Sequence, residues 1–324
     1  MKAMTRTVYG PAEVLEFIEV EVPVPAQDEV LIRVRAAGVG PEVWHVMTGR
    51  PYLVRIMGFG LRKPKNRRLG VDVAGVVEAV GSNVTQVRPG DEVFGTCAGS
   101  LAEYACARAD NVAPKPKNLT LEQAAALPTS GCTALQGLRD VGRVTAGQSV
   151  LIIGASGGVG TFAVQIAKAL GAEVTGVCRT NAVELVRSIG ADKVIDYTRQ
   201  DFADGERRYD LILDTAGRRS LTRLRRALAP RGTLVIVGGE GGGKWTGGFE
   251  RQILRATLLS PIVRQRMRPL ISTAHPEDLL ALKELVETGR LTPVISKTCG
   301  LSEAASVLGD AQEGHGRGKA IVTT

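Results

Sequence analysis

Residues Ser149 to Lys168 read S-V-L-I-I-G-A-S-G-G-V-G-T-F-A-V-Q-I-A-K, a strand pattern, a glycine turn and a helix pattern in immediate succession. Val150 to Ile153 are aliphatic without polar interruption, as expected of a strand covered on both faces. Gly154, Gly157, Gly158 and Gly160 remove Cβ atoms where backbone N–H groups must approach a diphosphate and where a helix must pack closely on its sheet. Together with Ala155, Ser156 and Val159 they form the candidate pyrophosphate cradle. The helix from about Val159 to Leu170 aims the positive end of its dipole at that anion, and Gly171 ends it.

The unit then repeats. Glu173 to Cys178 reads as a second strand, Val183 to Ile189 as a helix closed by Gly190, Lys193 to Ile195 as a third strand and Tyr209 to Asp214 as a fourth. A helix, Leu221 to Leu228, and the turn Pro230-Arg231-Gly232 lead to a fifth, Thr233 to Val237, and a sixth falls around Arg268 to Thr273. Strands alternating with helices at this pitch predict an α/β fold with a right-handed, doubly wound parallel sheet.

The first third differs in kind. Val8 to Val22, Glu29 to Ala36, Val71 to Val80 and Asp91 to Phe94 are short alternating segments punctuated by Pro23, Pro25, Gly81-Ser82-Asn83 and Pro89-Gly90, the pattern of a β-rich, barrel-like domain. The tail continues with a helix from Pro276 to Glu287, a strand Val294 to Lys297, a helix Glu303 to Ala311 and a last strand Lys319 to Val322. These last pieces are expected to rejoin the first domain, giving residues 1–116 and 276–324 to one domain and 117–275 to the other.

At 324 residues, with 44% hydrophobic and 23% charged residues, the composition is that of two ordinary globular domains. No apolar stretch approaches membrane-spanning length and no apolar leader follows the first residues, so a cytoplasmic protein without membrane contact is expected. Five cysteines without C-x-x-C spacing point to neither a disulfide framework nor a zinc ribbon. The net charge of +8 is concentrated in Arg62 to Arg68, Arg218 to Arg226 and Arg264 to Arg268. No aromatic residues are interleaved with these clusters and no nucleic-acid-binding motif accompanies them, which argues against nucleic acid and for solvated faces or an anionic cofactor.

Several ordered segments carry a family resemblance: V-Y-G-P-A-E-V-L, G-V-D-V-A-G-V-V-E-A-V-G, P-G-D-E-V-F-G, L-P-T-S-G-C-T-A-L, the glycine-loop stretch above, and G-H-G-R-G-K-A-I-V. Across nearly its full length the chain resembles the medium-chain dehydrogenase/reductase superfamily, specifically its zinc-free quinone oxidoreductase branch, which includes zeta-crystallin. The resemblance implies a Rossmann domain plus a GroES-like catalytic domain, and a homodimer joined through the edge of the cofactor domain. Zinc alcohol dehydrogenases of the superfamily place a cysteine after the G-V turn and a histidine in the G-H-E segment. Here those regions read Gly38-Val39-Gly40-Pro41 and Gly70-Val71-Asp72, so no metal is expected. Hydride transfer without a Lewis acid favours conjugated acceptors, quinones or α,β-unsaturated carbonyls, as substrates.

Cofactor choice rests on the end of the second strand. An NAD site places Asp or Glu there, whereas Cys178-Arg179-Thr180-Asn181 offers one guanidinium suited to a 2′-phosphate, so NADPH is expected. An exposed arginine beyond a strand is the plainer alternative for Arg179. The resemblance adds Tyr197 near the adenosine phosphate, Thr133 near the nicotinamide, Gly238-Gly239 beneath it and Lys319 at a C-terminal contact. It also marks as departures the absence of the usual polar residue at Gly40 and of an acid at Val43. Tyr52 and Asp72 are the candidate proton donors, with His45 or water as alternatives; His275 is read as capping a helix or facing solvent, and His315 as structural or as a cofactor contact. A reductase of another small carbonyl, or a non-catalytic NADPH- or nucleic-acid-binding protein, are the competing functions.

Overall fold

The computed structural model describes residues 1–205, 207–238, 263–312 and 317–324. Contacts divide the chain into two compact units, Met1–Cys132 with Thr273–Thr324, and Thr133–Ser272.

The first unit opens with an antiparallel pair, β1 (Lys2–Thr5) and β2 (Glu16–Glu19). There follow β3 (Glu29–Val39), α1 (Pro41–Thr48), β4 (Asp72–Val80), β5 (Glu92–Thr96), β6 (Tyr104–Arg108) and β7 (Val112–Pro114). β3 is the spine, pairing antiparallel with β4 and β6. Its period of two sends Val30, Ile32 and Val34 into a cluster with Val73, Val77 and Val93, and Ala37 and Val39 into another with Met4 and Met47. Pro41 at the first turn starts α1 because its missing N–H is not needed there, and Gly49 ends it at φ 59°.

Two short helices, α2 (Leu121–Ala125) and α3 (Pro128–Leu135), come next. Thr120 and Gln123 form a reciprocal capping box: the Thr120 hydroxyl accepts from Gln123 N at 3.3 Å and Thr120 N donates to Gln123 Oε1 at 3.0 Å. The buried Ala124 and Ala125 let α2 pack against β3, β4, β5. Residues 117–132 thus belong with the first unit rather than with the second, where the sequence boundary at 117 had put them.

Among the described residues the second unit holds a six-stranded, all-parallel sheet: β8 (Ser149–Ile153), α4 (Gly158–Ala169), β9 (Glu173–Cys178), α5 (Val183–Ser188), β10 (Lys193–Asp196), β11 (Tyr209–Asp214), α6 (Leu221–Ala227), β12 (Leu228–Ile236) and β13 (Arg266–Pro269). The order is β10-β9-β8-β11-β12-β13, so the chain reverses direction of growth between β8 and β11. That is the switch point of a doubly wound fold, where ligands bind beyond the carboxyl ends of the strands. Leu151, Ile153, Val177, Ile212 and Leu234 form its core. The edge strand expected over 268–273 starts two residues earlier and ends four residues sooner, at Pro269, whose ring removes a ladder donor.

The chain returns to the first unit through α7 (Pro276–Glu287), β14 (Ile295–Gly300), α8 (Ala304–Gln312) and β15 (Lys319–Thr323). β15 pairs antiparallel with β3 and parallel with β14. This places Lys319 at the start of a strand, opposite Ile295 and one residue before Ala320, which pairs with Val39. Among the described residues no helix is long and apolar enough to cross a membrane.

Candidate functional site

The glycine loop leaves β8 at the switch point and runs into α4. Gly154 adopts φ 83°, and a Cβ there would stand 2.5 Å from Thr215 Oγ1. At Gly160 a Cβ would fall 2.0 Å from the Gly154 carbonyl oxygen, so the helix can cross the turn this closely only without a side chain. Gly157 is different: its added Cβ would meet nothing nearer than 3.4 Å, which leaves its outer side open for an approaching anion. It is also the N-cap of α4 and supplies no side-chain cap, so the first-turn N–H groups have no partner from that residue. A diphosphate fits this cradle, which offers backbone donors, the helix dipole and no competing side chain.

Two arginines meet one tyrosine beyond the ends of β9 and β10. Arg179 Nε donates to Tyr197 Oη at 3.0 Å, and the Arg219 guanidinium carbon stands 5.5 Å from the Tyr197 ring centroid. Arg219, in the loop before α6, was not among the sequence candidates; only its place in a basic run marked it. Thr180 and Asn181 follow Arg179 in a short turn, and the Thr180 hydroxyl donates to Asp196 Oδ2 at 2.6 Å. The other Asp196 oxygen accepts from Thr198 N and Oγ1 at 3.0 and 2.7 Å. These hydrogen bonds, Thr180 first, hold the Asp196 carboxyl below the usual range. Both its oxygens are therefore engaged by their neighbours, and the Arg179 guanidinium at this corner is a group suited to a 2′-phosphate.

Asp214 ends β11 and organises the third wall. Its Oδ1 accepts from Ala216 N at 3.2 Å and Gly217 N at 2.9 Å, fixing the turn that carries Thr215. Thr215 in turn donates through Oγ1 to the Ile153 carbonyl at 2.8 Å, and its own carbonyl oxygen would stand 2.1 Å from a Cβ at Gly238. Burial pushes the Asp214 carboxyl up to about 6. Gly238 therefore needs to be glycine, while its neighbour Gly239 lies outside the described residues, as does His315. Thr133 is buried on α3, at the start of the second unit.

Within the first unit, Asp72 and Lys319 form one buried network. Lys319 Nζ lies 2.9 Å from Asp72 Oδ2 and 3.0 Å from Glu42 Oε1, and the Asp72 side chain is fully buried. Thr129 donates to Asp72 Oδ1 from its backbone N at 3.0 Å and also from its hydroxyl. Burial pushes Asp72 up against the opposing pull of Lys319; burial alone would lower Lys319, but Asp72 and Glu42 outweigh it and hold the ammonium charged. Glu42 resolves the two departures noted at Gly40 and Val43. Its carboxylate folds back over residue 40, where a Cβ would stand 2.4 Å from Oε2, so the space of a side chain at 40 is filled from position 42.

The remaining candidates are dispersed. Tyr52 carries the Arg55 guanidinium 4.6 Å from its ring, and Arg55 also stacks on Tyr9 at 4.4 Å. His45 Nδ1 lies 2.7 Å from the Arg50 carbonyl oxygen, a structural contact within its own turn. His275 is the N-cap of α7 without a side-chain cap. Among the described residues no group of three or more His, Cys, Asp or Glu side chains stands together as a metal site.

Comparison with known proteins gives a consistent picture. The family described as alcohol dehydrogenase GroES-like domain matches residues 26–117, and that described as zinc-binding dehydrogenase matches residues 189–322. The chain is 34% identical to the mitochondrial NAD(P)H oxidoreductase RTN4IP1 of Mus musculus, over 97% of this chain and 87% of that protein. It is 31% identical to a chloroplastic NADPH-dependent alkenal/one oxidoreductase of Arabidopsis thaliana, over 99% of this chain and 79% of that one. The solved quinone oxidoreductase of Coxiella burnetii superposes with a TM-score of 0.88 at 30% identity, covering 100% of this chain and 99% of that one.

Proposed function

The chain belongs to the quinone oxidoreductase branch of the medium-chain dehydrogenase/reductase superfamily, and from that premise we propose that it is an NADPH-dependent, zinc-independent reductase of quinones or α,β-unsaturated carbonyls. The observation that carries the cofactor assignment is the pairing of an uncapped glycine-loop helix with Arg179 and Arg219 on Tyr197. NADPH supplies a hydride when bound. The backbone of Gly157 to Gly160 would hold its diphosphate, Arg179 its 2′-phosphate, and Gly238 and Thr133 the nicotinamide side.

The chain's own residues then have three tasks. Asp214 fixes the Thr215 turn, which keeps the Gly154 and Gly238 backbones at their separation and so positions the ring end of the site. The Asp72–Lys319–Glu42 network anchors β15 to α1 and β4; we assign it positioning, since both Asp72 oxygens are already occupied. Tyr52 is the proton donor we favour, its phenol delivering a proton to the reduced acceptor, with water as the other source. Val39, Gly40 and Val71 carry no metal-ligating atoms at the positions that zinc relatives use, so the acceptor must delocalise its own developing negative charge. Quinones and enones do so; an isolated ketone places that charge on one oxygen.

Steady-state kinetics on matched enone and saturated-ketone pairs tests this reading. The enone is expected to be reduced at least about a hundredfold faster, equivalent to about 2.7 kcal/mol in barrier. Comparable kcat/KM for both members of a pair would replace it with a general carbonyl reductase.

A further inference from the structure

Gly154, Arg179 and Gly238 all follow the carboxyl ends of strands, and the opposite end of the same sheet has a separate, unused chemistry. There β12 breaks register with β11: Tyr209 pairs with Leu228 and Leu211 with Thr233. Ala229, Pro230, Arg231 and Gly232 therefore bulge out opposite Asp210. A Cβ at Gly232 would stand 2.9 Å from Tyr209 O and 3.0 Å from Asp210 O, so the bulge is tightly drawn against β11. Beside it Arg143 holds φ 51°, a left-handed conformation that a side-chain-bearing residue rarely adopts.

A glutamine clamps the third side. Gln265 Nε2 donates to the carbonyls of Arg225 and Leu228 at 2.9 and 3.2 Å, while its Oε1 accepts from Arg225 Nε at 3.0 Å. The end of α6 is thereby locked to the residues entering β13. Two adjoining cavities result, sharing Pro230. One of ≈ 480 Å³ is lined by Arg225, Arg226 and Arg264, and the other of ≈ 500 Å³ by Arg143, Arg231 and Arg266.

The charge around them is one-sided. Among the described residues, Arg143, Arg226, Arg231, Arg264 and Arg266 have no carboxylate partner. The one acid in either lining, Asp210, accepts from Ser149 N at 2.9 Å through Oδ2. Guanidinium groups grouped without counter-charge on a rigid frame are a receptor for a multiply charged anion. No aromatic side chain lines either cavity, so bases would find nothing to stack on. Several charges in a short span are what linked phosphates supply and what a peptide's single-charge carboxylates do not.

We propose that this end of the sheet binds a compact polyanion of the oligophosphate class, at a site separate from the glycine loop. Calorimetric titration of the full chain, its glycine-loop site first saturated with NADPH, with inorganic tripolyphosphate at low and at raised salt is the test. One saturable site is expected, weakened by salt, weakened at least about tenfold in the Arg231→Gln/Arg266→Gln double variant, and unchanged in Arg179→Gln. Both substituted arginines are exposed, and circular dichroism verifies that the variant folds; if it does not, the exposed Arg143→Gln is read by the same criterion. Absence of saturable binding, binding unchanged in the double variant, or loss confined to Arg179→Gln would overturn the proposal. A short oligothymidylate that binds this end at least about tenfold more tightly than tripolyphosphate would overturn it in favour of nucleic acid.

Discussion

Lys319→Met should destabilise the first unit severely, because it strips the ammonium from the buried Asp72 carboxyl and from the half-buried Glu42. The lysine side chain is 2% exposed, its Nζ stands 2.9 Å from Asp72 Oδ2, and Asp72 is itself fully buried. Without that cation the Asp72 carboxyl keeps only the two Thr129 donors on its other oxygen. Removing one partner of a buried pair costs about 3–5 kcal/mol, mostly the desolvation of the charge left behind. For a unit of this size that corresponds to a fall in Tm of roughly 6–20 °C. The cycle is the sharper test: adding Asp72→Asn to Lys319→Met removes the stranded charge and should recover at least about half of the loss. Urea unfolding of all four proteins, followed by circular dichroism, measures it. A single-variant cost below about 1 kcal/mol, or two single costs that simply add, would refute the reasoning.

Arg179→Ala should weaken NADPH binding about ten- to a hundredfold and leave NADH nearly unchanged, as fluorescence titration will read; equal affinities for both cofactors in the unmutated protein would sink the assignment. Asp214 is raised from 3.8 to about 6, so the folded state holds its proton more tightly, and the stability this gives is complete below pH 3.8 and lost as pH rises through 6. Asp214→Asn should therefore gain on the unmutated protein by at least about 1 kcal/mol between pH 4 and pH 8 in unfolding experiments. Purified protein should carry no stoichiometric zinc by elemental analysis, with activity indifferent to chelator. Among the described residues β13 is one of the two outer strands of the six-stranded sheet, and light scattering should report a homodimer in which two such edges pair; a monomer throughout the micromolar range contradicts this.

What the sequence made legible was the part held together by local pattern. The second unit announced itself because its inner strands carry apolar runs, Val150 to Ile153, Leu211 to Leu213 and Leu234 to Ile236, and its helices are bracketed by a glycine or a cap. β9 and β11 fall on the residues read from sequence, Glu173 to Cys178 and Tyr209 to Asp214. The domain boundary was harder. Residues 117–132 carry helical pattern like the unit that follows them, and the packing of Ala124 and Ala125 on β3 and β4, with the Thr129–Asp72 hydrogen bonds, assigns them to the other. Periodicity reports what an element is, not which core it joins.

The site divides along the same line. The cradle at Gly154 to Gly160 is contiguous in sequence, and its backbone geometry follows from missing Cβ atoms. The network of Lys319, Asp72, Glu42 and Thr129 draws on four segments, two of its partners being 277 positions apart in sequence. No spacing rule links them, so from sequence Asp72 is a candidate proton donor and Lys319 a cofactor contact. Glu42 shows why a residue-by-residue comparison misleads there. An acid expected at 43 and a polar side chain expected at 40 are both missing, yet one carboxylate from 42 occupies the space of the second and reaches the lysine. The constraint at this corner is a negative charge at a point in space, held to about 3 Å of Lys319 Nζ, and a helix turn offers more than one sequence position from which to deliver it.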